Sequence, residues 1–412
     1  MKINNKKILT IIIILLLILL YPITVFANDD DPSISSNSAI LIDNNTNKIL
    51  YSKNENKKMY PASTTKILTA ILTLENSDLN DVVTASYDSV MSIPDGYSTA
   101  NIEIGEQLTV EQLLQLLLVH SANDAANILA EYIGGSIDSF VSMMNTKANE
   151  LNMQNTHFTN TYGKHDENHY TTANDLSILM KYCMKNETFR KIAGSASCAI
   201  PSTNKHQNRT YTSTNELLIP NNKNYYKYLT SGKTGYTSQA GECLVSSAYK
   251  DNLELICVVL GSSDRFGDTK SLYEYVYSNY SIRNIVNKND IIKQIEVKNA
   301  SKETKNLNLL IKDSIPALIK NSDSNEQFNP EITLNDKISA PIDENEVLGK
   351  VKYEINGIEY TSDLIASHNV EKSKLLNYIL YGLFILILIF LCYKIFYKRK
   401  RNKLYRINFK IR

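Results

Sequence analysis

Residues 60–74 read Tyr-Pro-Ala-Ser-Thr-Thr-Lys-Ile-Leu-Thr-Ala-Ile-Leu-Thr-Leu, with Ser63 standing three positions before Lys66. Ile67, Leu68, Ala70, Ile71 and Leu74 recur at helical spacing, and Pro61 helps to fix the entry, so a helix opens at or just before the serine. On a helix, positions i and i+3 share a face, which brings Oγ of Ser63 and Nζ of Lys66 within hydrogen-bond reach. A lysine can then take the serine proton, but only when it is neutral. With a reference pKa of ~10.4, it needs burial or a neighbouring positive charge. Lys233 is a candidate for that charge, and the positive end of the helix acts in the same direction. Taken alone, Ser-x-x-Lys reads more simply as an N-cap serine followed by a solvated lysine, so its weight depends on two further triplets.

Ser121-Ala122-Asn123 follows a stretch, 109–119, in which Leu113, Leu114, Leu116, Leu117 and Leu118 are apolar nearly all round. That stretch predicts a buried core helix, with the next helix over 125–133 and the triplet on the connection. Ser121 offers a hydroxyl to pass a proton and Asn123 an amide to hold a substrate peptide group; the plainer reading is that Asn123 or Asp124 caps the second helix. Lys233-Thr234-Gly235 falls on the first of three consecutive expected strands, 226–236, 242–249 and 253–260. Lys233 and Thr234 supply a cation and a hydroxyl for a carboxylate, and Gly235 lets a substrate backbone lie flat where a Cβ would intrude. A turn bracketed by Gly232 and Gly235 is the alternative. Near the start, 39–42 and 48–51 flank Asn44-Asn45-Thr46-Asn47 and read as a hairpin.

The two ends of the chain bound where this chemistry works. Lys2, Lys6 and Lys7 precede an apolar run over 8–20 and a small-residue exit at Val25-Phe26-Ala27, which predicts a secretory signal over 1–27 cleaved after Ala27. An almost uncharged stretch over 374–393 is long enough to cross a hydrocarbon core of ~30 Å. The tail over 394–412 holds Lys394, Lys398, Arg399, Lys400, Arg401, Lys403, Arg406, Lys410 and Arg412 and no acidic residue. The positive-inside rule puts that tail in the cytoplasm and everything between the two apolar segments outside the cell membrane. Topology and anionic lipid account for the basic cluster, so it implies no nucleic-acid partner.

The net charge of +1 hides an ectodomain that is acidic once the basic ends are removed. Cys183, Cys198, Cys243 and Cys257 lie outside and Cys392 in the span, with no Cys-x-x-Cys pair, so disulfides do not hold the fold together. A Cys243–Cys257 bridge between neighbouring strands stands beside the plainer reading of buried free thiols. The roughly 340 outside residues exceed one typical core of about 100–200 residues. The composition divides them into a catalytic domain over 28–285 and a β-rich domain over 286–370, in which Asn356-Gly357 joins two alternating strands. His165 and His169 lie four apart, but without His-Glu-x-x-His spacing and on what reads as a loop, so neither a metal nor another cofactor is expected. No Gly-x-Ser-x-Gly elbow offers a nucleophile for a Ser-His-Asp hydrolase.

At this point the sequence resembles the serine-type D-Ala-D-Ala carboxypeptidases, the low-molecular-weight penicillin-binding proteins. The resemblance rests on Tyr60 through Lys66; Ser121-Ala122-Asn123-Asp124-Ala125-Ala126; Asn155-Thr156-His157-Phe158 with Gly163, His169-Tyr170 and Asp175-Leu176; and Gly232 through Thr237 with Ala240-Gly241. It spans the extracellular chain nearly end to end. It implies an α/β transpeptidase- and β-lactamase-like catalytic domain with an antiparallel sheet and a helical lobe, then a small all-β domain and one C-terminal transmembrane helix. It further implies that Ser63 is acylated, Lys66 is its base and Ser121 relays a proton. Asn123, Lys233, Thr234, Gly235 and Tyr236 would bind substrate, with backbone N–H groups of Ser63 and Tyr236 forming the oxyanion hole. The implied partners are peptidoglycan stem peptides ending in D-Ala-D-Ala, and β-lactams that mimic them. A β-lactamase, with Glu167 as the only candidate deacylating carboxylate, an endopeptidase or transpeptidase on the same fold, and a non-catalytic wall-binding protein are the rival readings.

Overall fold

The computed structural model describes residues 31–323 and 328–408, so the expected signal segment over 1–27 lies outside the described residues. Ser38–Asp43 (β1) and Ile49–Lys53 (β2) form the hairpin around Asn44–Asn47. Leu229–Thr237 (β3), Gly241–Lys250 (β4) and Leu253–Ser262 (β5) are the three consecutive strands, the first starting and ending slightly later than its sequence suggests. The five make one antiparallel sheet in the order β2-β1-β5-β4-β3, which leaves β3 on an edge.

Strands β1 and β5 are buried along almost their whole length, which is why they read as unbroken apolar runs. Successive side chains on a strand point to opposite faces, and here each face has its own core. Ile40, Ile42, Ile256, Val258 and Leu260 pack with the helical lobe, which includes Lys66–Asn76 (α1), Val110–Gln115 (α2), Asn123–Gly134 (α3) and Ala173–Cys183 (α4). Ala39, Leu41, Leu255, Cys257 and Val259 pack instead with Leu272, Tyr273 and Val276 of Arg265–Asn279 (α5). Each buried aliphatic of this kind contributes about 1.5–3 kcal/mol relative to exposure. The catalytic domain is thus a sheet with helices on both faces.

The stretch expected as one helix over 109–119 is α-helical only to Gln115, and Leu116–His120 widens to π geometry. The following helix begins at Asn123, two residues earlier than its sequence suggests, and no side chain caps its N-terminus at Ala122. Neither Asn123 nor Asp124 occupies the cap position, but Asp124 accepts the Ala125 N–H (2.9 Å) from within the first turn and so satisfies one of its free donors. The Cys243–Cys257 bridge is likewise absent, since both thiols are free and buried. The reason is geometric: the register sets Cys257 opposite Ser246, and the two sulfurs belong to different faces of the sheet, Cys243 in the lobe-facing core and Cys257 under α5.

Beyond α5, Tyr280–Val286 pairs antiparallel with Ile315–Lys320. Ile291–Glu296 (β6), Asn306–Ile311 (β7), Glu331–Leu334 (β8), Val347–Ile355 (β9) and Ile358–Ala366 (β10) form a second sheet in the order β6-β7-β10-β9-β8. The β9–β10 turn places Asn356 at φ +52° and Gly357 at +77°, the left-handed pair that a tight hairpin of matching twist requires. Last comes Leu375–Asn408 (α6). Within it, Tyr378–Arg401 has a mean hydropathy of 2.5 and no burial against the rest of the protein, and is long and apolar enough to cross a membrane.

Candidate active site

Ser63 sits on a 3-10 turn, Ala62–Thr65, that runs directly into α1 at Lys66. Two side chains hold the turn: Thr64 donates to the carbonyl of Pro61 (2.7 Å) and Thr65 to that of Ala62 (2.8 Å). Ala62 takes φ +48°, a conformation costing on the order of 1–3 kcal/mol for a residue with a Cβ, so the surroundings must hold it. Gly163 lies against it at φ +90°, where an added Cβ would fall 1.8 Å from the Ala62 oxygen. Only glycine fits there. Buried His169 completes the support, its Nε2 2.8 Å from the Thr65 hydroxyl. Its Nδ1 accepts from the Thr159 N–H (3.0 Å), so the ring proton resides on Nε2. Burial pushes His169 down to about 3, which keeps it neutral.

Lys66 is fully buried. Its Nζ lies 2.9 Å from the Ser63 hydroxyl and 3.0 Å from the carbonyl of Tyr162. Desolvation, and after it the nearby Lys233, hold its pKa well below the ordinary lysine value, while Asp124 acts in the opposite direction. The reading from the sequence leaves burial and a neighbouring charge open, with Lys233 as the candidate charge; both act, and burial is the larger.

Ser121 emerges from the π turn at φ +68°, locked by the Ala122 N–H donating to Leu116 (3.0 Å). This left-handed kink turns its hydroxyl toward β3, where it accepts from Lys233 Nζ at 3.0 Å. Lys233 also donates to the Thr234 carbonyl (2.9 Å), and burial, followed by the charge of Arg265, pulls it to about 7. Asn123 is buried with its Oδ1 unpartnered, an acceptor waiting for a donor. An amide N–H of a bound peptide satisfies such a group. The Asn123 N–H donates to Ser98 (2.9 Å), which ties α3 to the loop across the cleft. Asp124, next along, accepts from the N–H groups of Ala100, Ile102 and Ala125 and so fixes that loop.

Strand β3 lies against the serine turn. A Cβ on Gly235 would sit 2.9 Å from the Pro61 oxygen and 3.0 Å from the Ser63 nitrogen. Gly235 thus spares a clash with the protein's own backbone, a reason the sequence reading, which looks to a substrate, does not supply. Arg265 Nη1 donates to the Gly235 carbonyl (2.7 Å) and anchors the strand from behind. Tyr236 is 63% exposed and borders an open cleft of about 450 Å³ whose walls include Ser63, Tyr97, Asn123, Tyr162, His165 and Gln239.

The residues singled out in the sequence, Ser63, Lys66, Ser121, Asn123, Lys233, Thr234, Gly235 and Tyr236, therefore meet at one junction of sheet and lobe. His165 and His169 do not act as a pair: His165 packs edge-on to Tyr60, and His169 serves Thr65. Glu167 is exposed in the loop and does not border the cleft. Sequence reasoning gave no role in the site to His169, Gly163, Tyr162 or Arg265, and saw in Asp124 only a helix cap. Gly163, His169 and Asp124 stood in segments that carried the resemblance, which was the available signal; Tyr162 and Arg265 have none in one dimension.

Comparison with known proteins identifies the family and the fold. The family described as D-alanyl-D-alanine carboxypeptidase matches residues 25–264, and the penicillin-binding protein 5 C-terminal domain matches 280–372. D-alanyl-D-alanine carboxypeptidase DacF of Bacillus subtilis is 32% identical over 351 residues, 83% of this chain and 87% of the relative. DacC of Escherichia coli, with the same description, is 28% identical across 83% of this chain and 86% of its own length. Among solved structures, penicillin-binding protein 5 of Haemophilus influenzae superposes with a TM-score of 0.63 at 27% identity, covering 83% of this chain and 99% of that one. A peptidoglycan synthesis regulatory factor of Streptococcus pneumoniae, PBP3, gives 0.68 at 26% identity over 82% and 100%.

Proposed function

The chain belongs to the D-alanyl-D-alanine carboxypeptidase family, and from that premise we propose that it removes the terminal D-alanine from peptidoglycan stem peptides through an acyl-enzyme on Ser63. The observation that carries this reading is the 2.9 Å contact between Ser63 and a lysine stripped of water. A neutral Lys66 takes the Ser63 proton as Oγ attacks the carbonyl carbon of the penultimate D-alanine. The oxyanion is received by the N–H groups of Ser63 and Tyr236, a kind of contribution worth about 3–4 kcal/mol per donor. Collapse breaks the C–N bond, and the departing D-alanine nitrogen gains a proton passed by Ser121. Lys233 and Thr234 hold the terminal carboxylate, and Asn123 Oδ1 accepts from a substrate amide N–H. Water then attacks the ester and returns Ser63. β-Lactams, which present a similar acyl group, acylate the same oxygen.

We place the catalytic domain outside the membrane that α6 spans, with the basic residues after 393 on the cytoplasmic side, as the charge asymmetry supports. The decisive experiment incubates the protein with a peptide ending in D-Ala-D-Ala and measures free D-alanine beside a Ser63→Ala control. Release that vanishes in the control is the expected result. A folded protein that releases none, yet cuts cross-linked muropeptides, overturns the carboxypeptidase assignment in favour of an endopeptidase.

A further inference from the structure

Thr214 belongs to none of the three triplets, yet its hydroxyl lies 2.6 Å from that of Thr234. The turn that presents it is fixed on several sides. Its own N–H donates to Val119 (3.1 Å) in the π turn that leads to Ser121, and the Ser213 N–H donates to Ala196 (2.8 Å). Asn215 donates back to the Ser213 hydroxyl (3.1 Å), and its Oδ1 accepts from Leu217 (3.2 Å). Thr234 is buried, whereas Thr214 is exposed, so the contact reaches inward from the surface.

Each hydroxyl has one proton, and in the free protein either can be the donor. A carboxylate removes that freedom, because it only accepts. Once Thr234 gives its proton to a carboxylate oxygen, its own oxygen is left to accept, and Thr214 is the donor in place. Two of the three Lys233 N–H donors are already engaged by the Ser121 hydroxyl and the Thr234 carbonyl, so Lys233 has one left for the carboxylate and the second donor is Thr234. We propose that Thr214 is a positioning residue that orients the Thr234 hydroxyl toward the terminal carboxylate, so that selectivity for a free C-terminal acid depends on a Thr214–Thr234–carboxylate chain. Each bond in such a chain polarises the next. The same turn also bonds to the segment carrying Ser121, so one loop links the carboxylate end of the cleft to the proton relay. The inference rests on the reading that Thr234 binds the carboxylate.

The test compares a peptide ending in D-Ala-D-Ala with the same peptide capped as a C-terminal carboxamide. kcat and KM are measured for the unaltered protein, Thr214→Val, Thr214→Ala, Thr214→Ser and Thr234→Val, with thermal melting to verify folding. If the carboxamide turns over too slowly, the same ratio is read from competitive inhibition constants. Thr214→Val and Thr214→Ala are expected to lower kcat/KM on the free acid about fivefold. The loss should fall mainly in KM, spare the carboxamide, and be restored in Thr214→Ser. A loss equal on both peptides, or none on either, overturns the proposal while leaving the carboxylate reading intact if Thr234→Val still erases the preference. If Thr234→Val leaves the preference untouched, the carboxylate reading falls and this inference falls with it.

Discussion

Lys66 and Lys233 are two buried amines near one another, and their different surroundings set the pH response. Lys66 must be neutral to act as a base, so activity falls as pH drops through its lowered pKa. The unfolded chain keeps that proton up to about 10.4, so folding releases it between the two values, and stability falls with activity as the pH is lowered across that window. Lys233, at about 7, carries charge for a carboxylate only below that value in the free protein. KM is therefore expected to rise above neutrality, while bound carboxylate raises the Lys233 pKa and moves the alkaline limb of kcat higher than that of kcat/KM. Steady-state kinetics over a wide pH range check both limbs, and a flat acid side would remove Lys66 from the base role. Lys66→Arg sharpens the test, because a guanidinium keeps the donors and the charge but cannot deprotonate. Its acylation rate should drop by about 10²- to 10⁴-fold. Unchanged acylation would mean that the lysine stays charged and only orients Ser63.

Between residue and fold, the elements that matter are those that hold the active residues in unusual backbone conformations. The π segment Leu116–His120 ends in the left-handed Ser121, and α3 starts immediately after with Asn123 and Asp124 in its first turn. Asp124 is buried, and its three backbone N–H partners are the tether between α3 and residues 100–102. Burial raises its pKa and those donors oppose the rise. Asp124→Ala leaves buried N–H groups unpaired, each costing about 1–3 kcal/mol. The expected outcome is a lower melting temperature and a fall in kcat/KM, because Ser98 and the Asn123 N–H it receives move together. Asp124→Asn should recover part of both losses, since its amide oxygen still accepts. A melting temperature unchanged in the alanine variant would show that the tether contributes nothing.

At the scale of the molecule, the catalytic domain has its own two cores, the second sheet its own, and α6 stands clear of the rest with no buried side chain along its apolar window. An exposed helix of that hydropathy is stable in lipid, where its backbone is satisfied internally and its side chains meet hydrocarbon. Truncation after Ser373 is expected to move the protein from the membrane to the aqueous fraction while D-alanine release persists. Fractionation and activity on both forms check this. A truncated protein that stayed with the membrane would place the anchor elsewhere in the chain.

The triplets, their order and the helical spacing of Ser63 and Lys66 were legible in the sequence, because residue type carries chemical capacity and i to i+3 geometry is local. The hairpin at Asn44–Asn47, the three strands, the Asn-Gly turn and the C-terminal apolar helix were legible for the same reason, since each is decided by neighbours along the chain. The π turn was not, because a run of leucines buried all round fits α and π geometry equally and only the packing around Ser121 selects between them. The dryness of Lys66, the orphan oxygen of Asn123, the support of Thr65 by His169 and the Thr214–Thr234 contact belong to tertiary structure alone. Lys233 meets Ser121 across 112 positions. Burial, the proximity of charges and the partner of each polar atom are set by which distant segments the fold brings together, and these quantities decide when a lysine is a base.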